Sequence, residues 1–385
     1  MKNIALRLGG LSKSKFFFLF LSTATLFLTS CSEEILPSTD GKKTAIVFAT
    51  LDIRDTIHFV KITKAFYGGG NQVELAKIPD SSYFKQVDAV VKEFNAGSPG
   101  RVFVLKDTII ANKEEGAFYA PEQKLYYFTT TASQPLIGNG TTKYQFEANI
   151  NDGEFKVTSE RIELVHDMVI NTPSTTSEIK FEKDNNTNAY KTASFAFNAG
   201  NSKKVEAKLY IDFEEYNSVN NVDNLKYSKT IEWKIGEIES DDIPASGSVS
   251  ASAEGETFYN LIKENVSSDL DIIKRKLKGM RILINGASTE LQKYLLLNKP
   301  SSSLSQSKTS FTNLTVSNGH RVVGIFASRS HEDRYRQAWV YAGGSSYYAC
   351  LNTNSMQELC TGAITGGLAF CSDNPTHNTK NFFCN

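Results

Sequence analysis

The stretch TKYQFEANINDGEFKV, residues 142–157, decides how the first half of this chain folds. Thr142, Tyr144, Phe146, Ala148 and Ile150 alternate with Lys143, Gln145, Glu147 and Asn149. A pleated strand sends successive side chains to opposite faces, so one face is apolar and the other polar. Asn151-Asp152-Gly153 supplies a turn, and Phe155 and Val157 resume the alternation beyond it, which predicts a half-buried hairpin. Working outward, less regular strands are predicted at 44–50, 57–66, 87–94, 101–105 and 125–130. About seven short strands within roughly 120 residues predict an immunoglobulin-like β-sandwich over 44–165.

The pattern changes beyond residue 170. Val205, Ala207, Leu209, Ile211 and Phe213 share one face, and Ile231, Trp233 and Ile235 repeat the scheme across a polar loop expected at 217–224. Phe258, Leu261, Ile262 and Val266 fall near helical spacing, predicting a helix over 256–266. Residues 269–278 fit neither period, 280–284 return to strand, and a second helix is expected over 289–297 with Ser288 as its cap. The region 171–330 is therefore expected to be an α+β domain built on an antiparallel sheet, so that the whole chain is mainly β. Within it, 301–310 is a serine-rich connector, and Gly68-Gly69-Gly70 marks a turn earlier in the chain.

The amino end carries a different message. Lys2, Arg7, Lys13 and Lys15 precede an apolar run over 16–28, with no acidic residue before Cys31. Spanning a bilayer takes about 20 apolar residues, so the run suits an export signal over 1–30 rather than a membrane helix. Leu28-Thr29-Ser30-Cys31 resembles the lipobox of bacterial lipoproteins. The resemblance implies cleavage before Cys31 and lipidation of its thiol, with 31–43 as a flexible tether. Ser32-Glu33-Glu34 resembles the acidic tag of surface lipoproteins of Bacteroidetes, which implies an outer-membrane, cell-surface location.

Removal of the signal leaves 38 basic against 42 acidic side chains, a balance that gives no support for nucleic-acid binding. Apart from Cys31, the cysteines are Cys350, Cys360, Cys371 and Cys384, all within the last 36 residues. An even number in an exported chain predicts two disulfides, with three possible pairings, stapling a C-terminal extension over 331–385.

Local motifs for chemistry are sparse. No G-x-S-x-G elbow occurs, since Gly286-Ala287-Ser288-Thr289-Glu290 lacks the second glycine. Asp184 to Asn188 begins like a calcium loop but has Ala189 and Phe195 where Gly and Glu are required, so a polar turn is expected. His331-Glu332-Asp333 is expected in a solvated loop, and Lys274-Arg275-Lys276-Leu277-Lys278 on a solvated face. No metal site and no cofactor are predicted. Tyr335, Trp339, Tyr341, Tyr347 and Tyr348 form the one suggestive set, either a contact surface or rings packed beneath the stapled tail.

The lipobox, the Y-x-F…G-x-F hairpin and the late T-N…N-G…G-I-F-A-S-R stretch (Thr312 to Arg329) together resemble uncharacterised two-domain lipoproteins of Bacteroidetes, often encoded beside TonB-dependent receptors. That resemblance implies a non-enzymatic binding or accessory role beside an outer-membrane receptor in nutrient uptake. The alternatives are an extracellular glycan hydrolase with dispersed carboxylates, and a structural or adhesive surface protein.

Overall fold

A computed structural model of the protein describes residues 43–65, 72–116, 118–184, 186–219, 222–267, 269–298, 311–344 and 346–384. The export signal, Cys31, the tether up to residue 42, the glycine turn at 68–70 and the connector at 301–310 lie outside the described residues. With 53% strand against 15% helix, sheet pairing rather than helix packing carries the fold.

The strands of the first part are β1 (Thr44–Leu51), β2 (Ile57–Ala65), β3 (Val87–Asn95), β4 (Ser98–Val104), β5 (Lys106–Ala111), β6 (Glu122–Thr129), β7 (Thr142–Ile150), β8 (Phe155–Ser159) and β9 (Ile162–Glu163). Those that follow are β10 (Met168–Ile170), β11 (Thr192–Ala199), β12 (Lys204–Val219), β13 (Val222–Glu239), β14 (Ser248–Glu254) and β15 (Lys274–Ala287). The last are β16 (Leu314–Val316), β17 (Arg321–Gln337), β18 (Trp339–Gly343), β19 (Ser346–Ala349) and β20 (Phe370–Cys371). Among the described residues five α-helices interrupt them: α1 (Gln72–Ala76), α2 (Pro79–Ser82), α3 (Gly255–Asn265), α4 (Thr289–Leu297) and α5 (Thr353–Thr361).

A nine-stranded sheet runs β13-β12-β15-β17-β1-β2-β6-β5, with β20 attached to β15. A six-stranded sheet runs β16-β8-β7-β3-β4, with β9 on β7. The hairpin quoted above is β7–β8, with Ile150 opposite Phe155. Its inward residues Phe146, Ala148 and Ile150 face Val47, Leu51 and Ile62 from the larger sheet in one buried cluster. At the start of β7 the Tyr144 hydroxyl accepts from the Ile137 amide at 2.8 Å and donates to Glu93 at 2.9 Å. Glu93 is also held by Arg101 Nε at 3.0 Å and by its terminal nitrogen at 2.6 Å. Burial pushes the Glu93 carboxyl up, but the bonds from Arg101 and Tyr144 outweigh it and hold the group below its ordinary range.

The buried clusters change over between Leu164 and Val165. The second gathers Phe195 and Phe197 of β11, Leu209 and Phe213 of β12, Phe258 of α3, Ile282 of β15 and Leu359 of α5. Burying a phenylalanine such as Phe258 contributes about 2–3 kcal/mol, so this cluster is the main support of the C-terminal half. The chain also returns to the first cluster late: β16 pairs with β8, and Phe326 of β17 packs 5.9 Å from the Phe146 ring.

β17 belongs to both halves. Residues 321–328 pair in parallel with β1, and residues 329–337 pair antiparallel with β15. At the changeover Ser328 is fully buried; its hydroxyl donates to the Leu51 carbonyl at 3.0 Å and accepts from the Val165 amide at 2.9 Å. Its carbonyl accepts from the Ser288 amide at 2.9 Å, and Ser288 in turn caps α4.

Several expectations need correction. One disulfide forms rather than two: Cys371–Cys384, with Cα atoms 5.0 Å apart, within the range a disulfide can bridge. Cys350 and Cys360 are free thiols buried in the second cluster, where the ends of β19 and α5 present them to the core as small apolar side chains. Of the polar loop expected at 217–224, the described residues 217–219 and 222–224 are strand, because β12 and β13 stay paired out to Val219 opposite Val222. His331, Glu332 and Asp333 lie within β17 rather than in a loop, paired with Asn285, Ile284 and Leu283 of β15 in that order. The basic run at 274–278 is the start of β15, and Arg275 is buried rather than solvated, because Glu215 accepts from its Nε at 2.8 Å.

Two outcomes are expected from this architecture. Gly324 sits opposite Val47 with φ +107°, and an added Cβ would lie 1.9 Å from the Val47 carbonyl oxygen. Gly324→Ala should therefore lower unfolding free energy by at least about 2 kcal/mol, read from the shift in the denaturant midpoint. Burial pushes the Cys350 and Cys360 thiols up to about 12, so neither should react with a thiol reagent at pH 8 in the native state, and both should react after guanidinium unfolding.

Candidate functional site

The aromatic set converges on the hairpin formed by β18 and β19. Trp339 lies opposite Ala349, Val340 opposite Tyr348, and Tyr341 opposite Tyr347. Alternation therefore places Trp339, Tyr341 and Tyr347 on one face and sends Tyr348 with Val340 to the other. The Tyr347 ring centre is 5.9 Å from Trp339 and 5.3 Å from Tyr341, within the range of edge and tilted ring contacts. Tyr335 reaches the same place from β17, its ring lying across Gly279 of β15, where a Cβ would come within 2.6 Å of ring carbon Cζ.

Tyr335, Trp339 and Tyr341 line an open cleft of about 560 Å³, together with Leu277, Lys278 and Asp373. Tyr341 is 57% and Tyr335 45% exposed, so these rings meet solvent rather than lying under the tail. Trp339 is half-buried, and its Nε1 donates to Asp373 Oδ1 at 2.7 Å. Asp373 follows Cys371, so the single disulfide loop holds the hairpin in place through this bond. Burial, and then the charge of Asp212, push the Tyr335 hydroxyl above its ordinary range, so it stays a neutral donor and acceptor.

Among the described residues that line the cleft, no nucleophile is paired with a base. The carboxylate in its described lining, Asp373, is engaged by Trp339 and lies 3.7 Å from Lys276. A serine–histidine contact does exist nearby, with His377 Nδ1 2.8 Å from the Ser372 hydroxyl. Both residues are 3% exposed and Thr353 Oγ1 lies 3.2 Å from the other ring nitrogen, so the contact is buried within the disulfide loop. Burial holds the His377 imidazole below its ordinary pKa.

The remaining sequence candidates are dispersed. His331 Nδ1 is 2.9 Å from Asp52, and Arg54 pairs with Glu332, both joining the end of β1 to β17. Asp184 accepts from the amides of Asn186 and Thr187 at 2.9 and 3.1 Å, the self-contained turn expected there. His58 stacks on Phe128 at 4.6 Å inside the first half. Among the described residues no three His, Cys, Asp or Glu side chains are grouped to hold a metal ion. Sequence reasoning missed Asp373, whose link to Trp339 spans 34 residues and leaves no local pattern.

Asp373→Ala removes the acceptor of the Trp339 indole. It should cost about 1 kcal/mol of stability and shift tryptophan emission to longer wavelength, since Trp233 and Trp339 are the only two indoles. The chain matches no protein-family model, and no curated protein is significantly similar to it.

Proposed function

We propose that the chain is a non-enzymatic binding lipoprotein, anchored through Cys31 at the surface of an outer membrane and partnering a TonB-dependent receptor. The observation that carries this reading is the solvent-facing aromatic hairpin: Tyr335, Trp339 and Tyr341 on one cleft, with Tyr347 packed against Tyr341 and Asp373 bonded to Trp339. Rigid, amphipathic rings are the side chains most often found at the energetic centre of a protein interface. The engaged state of Asp373 speaks against hydrolysis, which needs a free pair of carboxylates flanking the scissile bond.

The architecture fits a binding role. Residues 44–165 are read as an immunoglobulin-like sandwich, because the orders β1-β2-β6-β5 and β8-β7-β3-β4 match the A-B-E-D and G-F-C arrangement of that fold with one added strand. Tyr144, bonded back to Ile137 from the start of β7, supports the same reading as a tyrosine corner. The following region, with antiparallel strands and α3 to α5, is read as an α+β domain that carries the hairpin on its end.

Native protein drawn from gently solubilised outer membranes should bring down a receptor barrel in equal amount. Tyr341→Ala should lower that recovery about ten-fold without altering the melting midpoint, as expected for a ring at an interface centre. Recovery unchanged by Tyr341→Ala would remove the hairpin from the interface, and an amino terminus without fatty acid on Cys31 would remove the anchor.

A further inference from the structure

A second depression lies in the first half, between β2, α2 and the segment leading into β6. Most lysines near the sheets are neutralised: Lys92 and Lys156 share Glu147, Lys204 and Lys234 share Glu237, and Lys229 reaches Glu215. Lys61, Lys64 and Lys113 differ. All three line one pocket of about 340 Å³ whose wall contains no carboxylate, and none forms an ion pair among the described residues. Lys61 Nζ donates only to the neutral Gln123 amide oxygen at 3.2 Å, and Lys113 Nζ to the Tyr119 carbonyl at 2.7 Å. Burial, and then the charge of Lys61, hold the Lys113 ammonium below its ordinary pKa, as expected when two cations share a site without an anion.

The rest of the wall is suited to a ring. Tyr83 and Tyr119 offer flat faces beside Pro79, and the hydroxyls of Thr63 and Ser82 offer hydrogen bonds at the rim. The loop is held in place, since the Tyr119 amide donates to the Ala76 carbonyl of α1 at 3.0 Å and the Tyr83 hydroxyl accepts from the Lys124 amide at 3.0 Å. A volume of this size is that of a small-ligand site.

We propose that this pocket binds a carboxylated sugar ring, its carboxylate between the Lys61 and Lys113 ammonium groups and its apolar face on Tyr83 or Tyr119. The shared chemistry is a uronate, which a free acid monosaccharide or the end of an acidic polysaccharide would equally supply. The site is separate from the aromatic hairpin and does not depend on how the chain is anchored.

The test is calorimetric titration of the full chain with digalacturonate, monomeric galacturonate and the neutral disaccharide lactose. Digalacturonate should bind with an affinity that falls as salt rises, and lactose should bind at least ten-fold more weakly. Lys61→Met should weaken digalacturonate about ten-fold while keeping the melting midpoint. Equal affinity for monomer and dimer assigns the site to the free acid, and tighter binding of the dimer to a polysaccharide. Equal binding of lactose, absent binding of both acids, or unchanged affinity in a folded Lys61→Met would overturn the proposal. Should Lys61→Met fail to fold, affinity of the native chain that is independent of salt overturns it instead.

Discussion

The joint between the two buried cores rests on the hydroxyl of Ser328. A buried hydroxyl without partners costs free energy, and this one is satisfied from both sides, giving to Leu51 and taking from Val165. It stands where β17 stops pairing with β1 and begins pairing with β15. Two separate cores thereby acquire a common backbone. The Ser288 contacts extend the same node to the cap of α4, and Asp52–His331 adds a second tie further along β17. Neither core can lose β17 without exposing the other's edge strand to solvent.

Charge plays a supporting part, and its weight depends on burial. On β12 and β13 the lysines and glutamates alternate as exposed or half-exposed pairs, each contributing no more than about 1 kcal/mol. Glu215 and Arg275 are different. Both are buried, and Arg275 also donates to the Leu368 and Ser267 carbonyls at 2.6 and 2.8 Å. Removing Glu215 would leave the buried Arg275 guanidinium without its carboxylate, at a cost of about 3–5 kcal/mol, whereas Glu215 is also reached by Lys229 at 2.7 Å. The Arg275 bonds also connect β15 to the disulfide-bearing tail, so the C-terminal segment is part of the second core rather than an appendage to it.

What the sequence made legible was local. The alternation at β7 and at β12, the turn after Ile150, the helix at α3 and the Ser288 cap of α4 each leave a signature a few residues long, and each appears near its expected place. β5 and α5 were not anticipated: β5 is short and mostly exposed, and α5 begins at an Asn352 cap amid cysteines that suggested a stapled tail. Pairing between distant segments was equally silent. Thr44 meets Arg321 across 277 residues in a parallel ladder, and parallel partners carry no connecting turn to announce them. The candidate hairpin shows both sides of this limit. Its rings stand out by composition, yet their division between two faces and the brace from Asp373 depend on register and on a contact from a remote loop.

The position of β1 has a mechanical consequence. It opens the described chain, yet it lies in the interior of the large sheet, zipped to β2 on one side and to β17 on the other. A pull applied at its leading residue acts along the strand axis, so both ladders must yield together in shear rather than part bond by bond as a peeled edge would. A body dragged by that end through flowing liquid would thus be gripped at the place where its fold is hardest to tear.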